Sequence, residues 1–156
     1  IGKDPNHASK NIGWIINLLQ NIKIDFDYKE NSFADIWTKF IFITSFGLVT
    51  AKYNSSIGTV CTDEIQKQEA TNIMVELKSI ANKKGIILQD NIIESTFEKA
   101  MTFPFNTPTS LQLDINSKKE NNELELFAGA IINYGKELNT TTSFTEKIYS
   151  ELKQKI

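Results

Sequence analysis

Arginine is absent from this 156-residue chain, and cysteine and histidine occur once each. Without arginine there is no guanidinium fork to clamp a phosphate or carboxylate bidentately, so every basic side chain is a lysine, His7 apart. The 17 lysines nearly balance 19 acidic residues, giving a net charge of −2 and a pI of about 5.5 with no basic block. That balance argues against a nucleic-acid partner or an anionic membrane surface. Cys61 cannot close an internal disulfide, and with no Cys/His cluster there is no zinc site, so it is expected as a small core residue. His7 lies in a polar N-terminal stretch with no serine and acid arranged for a hydrolase, and is expected on the surface. The glycines at 2, 13, 47, 58, 85, 129 and 135 are scattered, and none forms the GxGxxG turn of a dinucleotide site. No basic-then-apolar start suggests a signal peptide, and no charge-free apolar run approaches the ~18 residues of a spanning helix. A cytoplasmic protein is the expectation.

With 40% hydrophobic residues the chain can bury a core of its own as a single domain. Apolar positions Ala8, Ile12, Ile15, Ile16, Leu19 and Ile22 recur at helical spacing and predict a first helix. Residues 24–28, IDFDY, alternate as one short half-buried strand would, with no partner visible in the chain. A long helix over 32–51 follows, capped by Asn31 or Ser32. The next spans 62–84, with Ile65, Ile73, Met74, Leu77, Ile80 and Ala81 as its stripe and Gly85 after its end. Further helices are predicted over 90–101 (Ile93, Phe97, Ala100 and Met101 inward), over 110–117 after the proline loop FPFNTPTS, and from 122. In that last one Asn122 and Glu125 form a capping box and Leu124, Phe127, Ile131, Tyr134 and Leu138 face inward. A final helix over 143–155 buries Phe144, Ile148 and Leu152. Nearly everything is helix.

Residues 33–51, FADIWTKFIFITSFGLVTA, are apolar almost all round, as in a helix buried on most sides. Lys39 inside it has two readings. Its methylenes run along apolar surface to a solvated head, or its ammonium loses water, which favours the neutral amine and makes it a proton donor near neutral pH.

Four segments occur in a telling order: IG at the start, IWTK around Lys39, TSLQLD after the proline loop, and ELELFAG opening the next helix. The joint pattern W-x-K, S-x-x-x-D and E-x-[DE]-x-x-x-G resembles the C-terminal domain of ketopantoate reductases, the 2-dehydropantoate 2-reductases of the ApbA/PanE family. The resemblance covers nearly the whole chain. It implies an all-α fold similar to the 6-phosphogluconate dehydrogenase C-terminal domain, with at most one short strand near the N-terminus. Residues 1–156 would be the substrate and catalytic domain, without the N-terminal Rossmann domain that binds NADPH in this family. The implied reaction is reduction of 2-dehydropantoate to pantoate for pantothenate biosynthesis, with the isolated chain inactive. Lys39 corresponds to the general acid, Ser110 to a serine that hydrogen-bonds substrate, and Glu123 to a glutamate that contacts substrate and nicotinamide ribose. Outside the resemblance, Ser110 reads as a helix cap and Glu123 as an acidic first-turn residue favoured by the helix dipole. Gly129 reads as a place where a neighbouring helix comes close, and Trp37 and Asp114 as scaffold.

Departures from the family pattern bear on substrate. Asparagines that the family carries four and eight residues after the lysine, and near the following loop, are Ile43, Gly47 and Ile57 here. Each lost hydrogen bond to a buried polar substrate group costs about 1–3 kcal/mol, with Thr44, Ser45 and Asn54 as the nearby candidates to compensate. Two other readings therefore stand beside the first: a reductase of a less polar 2-oxo acid, and a non-catalytic helical module for homodimerisation.

Overall fold

The computed structural model describes residues 1–2 and 11–156. Helix α1 (Gly13–Asn21) is followed by the long α2 (Phe33–Tyr53), then α3 (Ile57–Thr62) and α4 (Glu64–Lys83). After α5 (Ile92–Met101) and α6 (Ser110–Asn116) come a π-helical turn (Glu125–Gly129), α7 (Ala130–Leu138) and α8 (Ser143–Lys153). The domain is all-α, as expected. Residues 24–28 form no strand, and among the described residues pairing is limited to an isolated parallel bridge between Gly2 and Lys29. One bridge cannot bury the alternating face of IDFDY, so the segment stays a connector. His7 and Ala8 lie outside the described residues.

Helix α2 organises the rest, packing against α3, α4, α5, α6, α8 and the π-helical turn. Its second half is enclosed on all sides, with residues 44–51 all buried. Full burial of a side chain such as Phe46, Leu48 or Val49 contributes about 1.5–3 kcal/mol each. Ser45 Oγ donates to the Ile41 carbonyl and Thr50 Oγ1 to that of Phe46, each at 2.7 Å, so two hydroxyls sit in the core with their hydrogen bonds made inside the helix. The first half is covered on one side, with Trp37 and Ile41 inward and Ile36 exposed. By length and composition α2 could cross a membrane, but half of its apolar window is buried inside this domain, as in a core helix.

Helix ends follow local chemistry. Asn31 Oδ1 accepts from the Phe33 amide, whereas Ser32 makes no side-chain cap. The predicted helix over 62–84 divides at Asp63, which is extended and whose carboxylate caps α4 by accepting from the Gln66 amide. Gly85 ends α4 with φ +72°, a conformation that costs glycine nothing. Several predicted core positions face solvent instead: Ile65, Met101 and Phe144 are exposed, and α1 buries no residue at all. In α4 Gln66 is buried in place of Ile65, and in α5 Ile92 joins the expected Phe97 and Ala100 while Met101 at the other end turns outward.

Candidate active-site cleft

The exposed half of α2 places Ile36, Lys39, Phe40 and Ile43 on one face, at the i, i+3, i+4, i+7 spacing of neighbouring helical turns. Leu126, Ala130 and Tyr134, from the π-helical turn and α7, stand opposite, and together they line a groove of about 500 Å³. Trp37 forms its base, edge-on to Phe40 with ring centroids 5.7 Å apart and tilted against Tyr134 at 6.2 Å. Lys39 is the charged residue of this lining, and it is exposed. The expectation that the surrounding helix strips its ammonium of water is therefore not met in this chain. Apolar surface runs beneath the side chain while solvent reaches its head.

A second groove of about 200 Å³ adjoins the first along Ile43. Phe42, Phe46 and Gly47 of α2, Ile57 of α3, Phe103 and residues 107–109 of the proline loop, Ser110 and Leu111 of α6, and Phe127 complete it. The π-helical turn sends Leu126 into the first groove and its neighbour Phe127 into the second, and Ile43 lines both. Such wide turns recur at functional sites.

Ser110 is held here by an unanticipated network. The cap of α6 is Thr109, whose Oγ1 accepts from the Gln112 amide while the Gln112 side chain accepts from the Thr109 amide, a complete capping box. Thr109 Oγ1 also meets Thr50 Oγ1 at 2.7 Å, tying the start of α6 to the core of α2. Thr-x-x-Gln at 109–112 was legible as a capping signature. Ser110, one residue into the helix, has no capping duty, and its Oγ donates to Glu123 Oε2 at 3.2 Å. Two of the three candidate residues thus meet directly, and Lys39 lies in the adjoining groove.

Asn122 Oδ1 accepts from the Leu124 amide, and Glu125 makes no capping box with it. Glu125 reaches α8 instead, accepting from Tyr149 OH and pairing with Lys153, each at 2.5 Å. Those contacts, the lysine's first, hold its carboxyl below the usual range. Beside Gly129 the nearest atom to an added Cβ would be Glu125 Oε2 from the same turn, so close approach of another helix is not its reason. Trp37 is buried scaffold that also floors the groove, and Asp114 pairs with Lys119.

Ile43, Gly47 and Ile57 all line the second groove, although they come from two helices. Their candidate substitutes do not: Ser45 is bonded within α2, and Asn54 Oδ1 accepts from Gln112 and Asn116. Thr44 is buried without a hydrogen-bond partner among the described residues and lines neither groove. No group of three or more His, Cys, Asp or Glu side chains among the described residues could hold a metal ion.

Comparison with known proteins agrees with this architecture. A curated relative, the uncharacterized oxidoreductase YkpB of Bacillus subtilis (strain 168), is 21% identical over 76% of this chain, which spans 39% of that protein. A PanE/ApbA family ketopantoate reductase from Ralstonia eutropha JMP134 superposes with a TM-score of 0.81 at 16% identity, over 99% of this chain and 49% of its own. A dimeric ketopantoate reductase from Staphylococcus aureus gives 0.80 at 17%, over 94% and 52%. The chain thus spans about half the length of the solved reductases. Residues 31–156 match the ketopantoate reductase PanE/ApbA C-terminal family, and the chain belongs to that family of oxidoreductases.

Proposed function

We propose that this chain is the substrate half of an NADPH-dependent reductase that converts the ketone of a 2-oxo acid to an alcohol, with the dinucleotide held mainly by a Rossmann domain of the whole protein. The observation that carries this reading is that the Lys39 groove and the groove bearing Ser110 meet at Ile43, which lines both, with Ser110 bonded to Glu123. Glu123 gives one carboxylate oxygen to Ser110, and by the family resemblance it would also help to hold the nicotinamide ribose. NADPH, when bound, supplies the hydride.

Negative charge grows on the ketone oxygen during reduction. The Lys39 ammonium stabilises that charge and delivers the proton, which produces the alcohol and leaves a neutral amine for solvent to reprotonate. Ser110 donates to a substrate oxygen in place of its contact with Glu123, fixing the substrate's orientation. Closure of a second domain over Lys39 would exclude the water that reaches it in this chain and strengthen both interactions.

The family resemblance alone points to 2-dehydropantoate as the 2-oxo acid. The second reading, a less polar 2-oxo acid, is favoured by the convergence of Ile43, Gly47 and Ile57 in one groove. NADPH oxidation by the full-length protein is the test. Turnover is expected with at least one 2-oxo acid, and Lys39→Ala is expected to lower kcat by about 10²–10⁴-fold. Unchanged kcat in that variant, with a native circular dichroism spectrum, would remove Lys39 as the acid.

A further inference from the structure

We propose that the second groove is a side-chain subsite for an aromatic 2-oxo acid, whose ring packs against the partly open rings of Phe42 and Phe103. This rests on the reductase reading above and adds the substrate class to it. Three observations converge on the proposal.

The first is the wall. Phe42 stacks on Phe46 with centroids 5.1 Å apart and on Phe103 at 5.7 Å, with interplanar angles of 26° and 27°. Phe46 is fully buried and backs the wall, while Phe42 and Phe103 are partly open and offer apolar ring surface to another ring. Phe103 comes from the proline loop and is partly open to solvent, so the wall ends in an accessible ring.

The second is that the hydroxyl protons of the groove's threonines are already engaged. Thr107 Oγ1 donates to the Pro104 carbonyl at 2.7 Å, and Thr109 Oγ1 is shared between Thr50 and the Gln112 amide. Ser110 is the exception, exposed and in long contact with Glu123. A polar substrate tail would leave its own groups unpaired against Ile43, Ile57, Leu111 and Phe127, whereas an apolar tail loses nothing there.

The third is space. The groove holds about 200 Å³, and an apolar protein cavity of about 150 Å³ is enough to bind benzene. Gly47, itself buried, lines it. A Cβ at this position would meet Leu111 and Phe127 at 3.7–3.8 Å, ordinary contact, so packing does not demand glycine in the middle of α2. Glycine is unfavourable in a helix interior, and what it leaves here is unfilled room between two lining residues.

The test is kcat/KM of the full-length protein with NADPH for phenylpyruvate, 4-methyl-2-oxopentanoate, pyruvate and 2-dehydropantoate, in the wild type and in Gly47→Ala and Gly47→Leu. Phenylpyruvate is expected to exceed 2-dehydropantoate by about 10-fold or more, the scale on which apolar pockets discriminate. The phenylpyruvate-to-pyruvate ratio is expected to fall stepwise from Gly47 to Ala to Leu, mainly through KM. Gly47→Ala, which adds only ordinary contacts, keeps the test open if the leucine variant fails to fold. Equal or better use of 2-dehydropantoate or of the branched aliphatic acid overturns the aromatic subsite and leaves the reductase reading intact, as does a ratio that Gly47→Ala does not move. Absence of NADPH oxidation with every acid overturns both.

Discussion

Lys39 stands in solvent although the helix carrying it is among the most apolar segments of the chain, because burial along α2 is uneven. The first half is covered on one face and the second half on all, and an average over the helix cannot show where its neighbours begin. Composition therefore located the helix and, through the family motif, the residue, and of the two readings of its surroundings the solvated head is the one the structure bears out. Since Lys39 is exposed, Lys39→Ala is expected to change stability by no more than about 0.5 kcal/mol. A large drop in the thermal midpoint would show that it supports the fold. Thr44 presents the opposite case, a hydroxyl inside the core without a partner among the described residues. An unsatisfied buried polar group costs about 1–3 kcal/mol, so Thr44→Val, nearly equal in shape, is expected to raise the urea midpoint. A lowered midpoint would mean that the hydroxyl is satisfied by a bridging water.

At the level of elements, the site depends on two helix starts and one irregular turn. Helix α6 begins where Thr109 meets both Gln112 and Thr50, and this junction fixes Ser110 against the cleft. Thr109→Ala removes the cap and leaves Thr50 Oγ1 with its bonds inside α2. The expected cost is about 1 kcal/mol, with a rise in KM if Ser110 then shifts, both measurable in one variant. Gly58 opens α3 beneath the proline loop, its amide donating to the Phe105 carbonyl at 3.0 Å. An added Cβ would lie 2.4 Å from the Phe105 ring and 2.6 Å from that carbonyl, so Gly58→Ala must displace the loop that carries Phe103. The π-helical turn was not legible as such. The expected capping box failed because Glu125 finds Lys153 and Tyr149 on α8, partners that no local spacing reveals. Its carboxyl pKa is lowered on folding, chiefly by Lys153. The tie is thus present above the unfolded carboxylate range near pH 4.3 and is lost as pH falls through the lower folded value. A carbon-13 NMR titration should give Glu125 a midpoint below that of unfolded glutamate, moving up in Lys153→Ala; equal midpoints would show the tie is absent in solution.

For the whole molecule, the pattern that foretold helices also foretold faces to be covered, and one of them is only half covered, with Ile12, Ile15, Ile16 and Leu19 half-buried. Ile12, Ile15, Ile16, Leu19 and Ile22 recur at helical spacing, yet α1 buries nothing, and Trp14, Leu18 and Ile22 are exposed. Periodicity says that a face exists and is silent on what meets it. The chain spans about half of the solved reductases, so on the proposed function the rest of the protein is the natural cover. The two tryptophans make this measurable: Trp14 is 67% exposed and Trp37 only 9%, beneath Phe40 and Tyr134. Acrylamide quenching of the isolated chain should resolve an accessible and a protected component, with Trp14→Phe removing the accessible one. In the full-length protein the Trp14 component should lose accessibility if α1 packs against the remaining polypeptide. If instead Trp14 stays as accessible there as in the isolated chain, its apolar face serves some other contact. A single uniform quenching constant in the isolated chain would place α1 against the domain and contradict its exposed position.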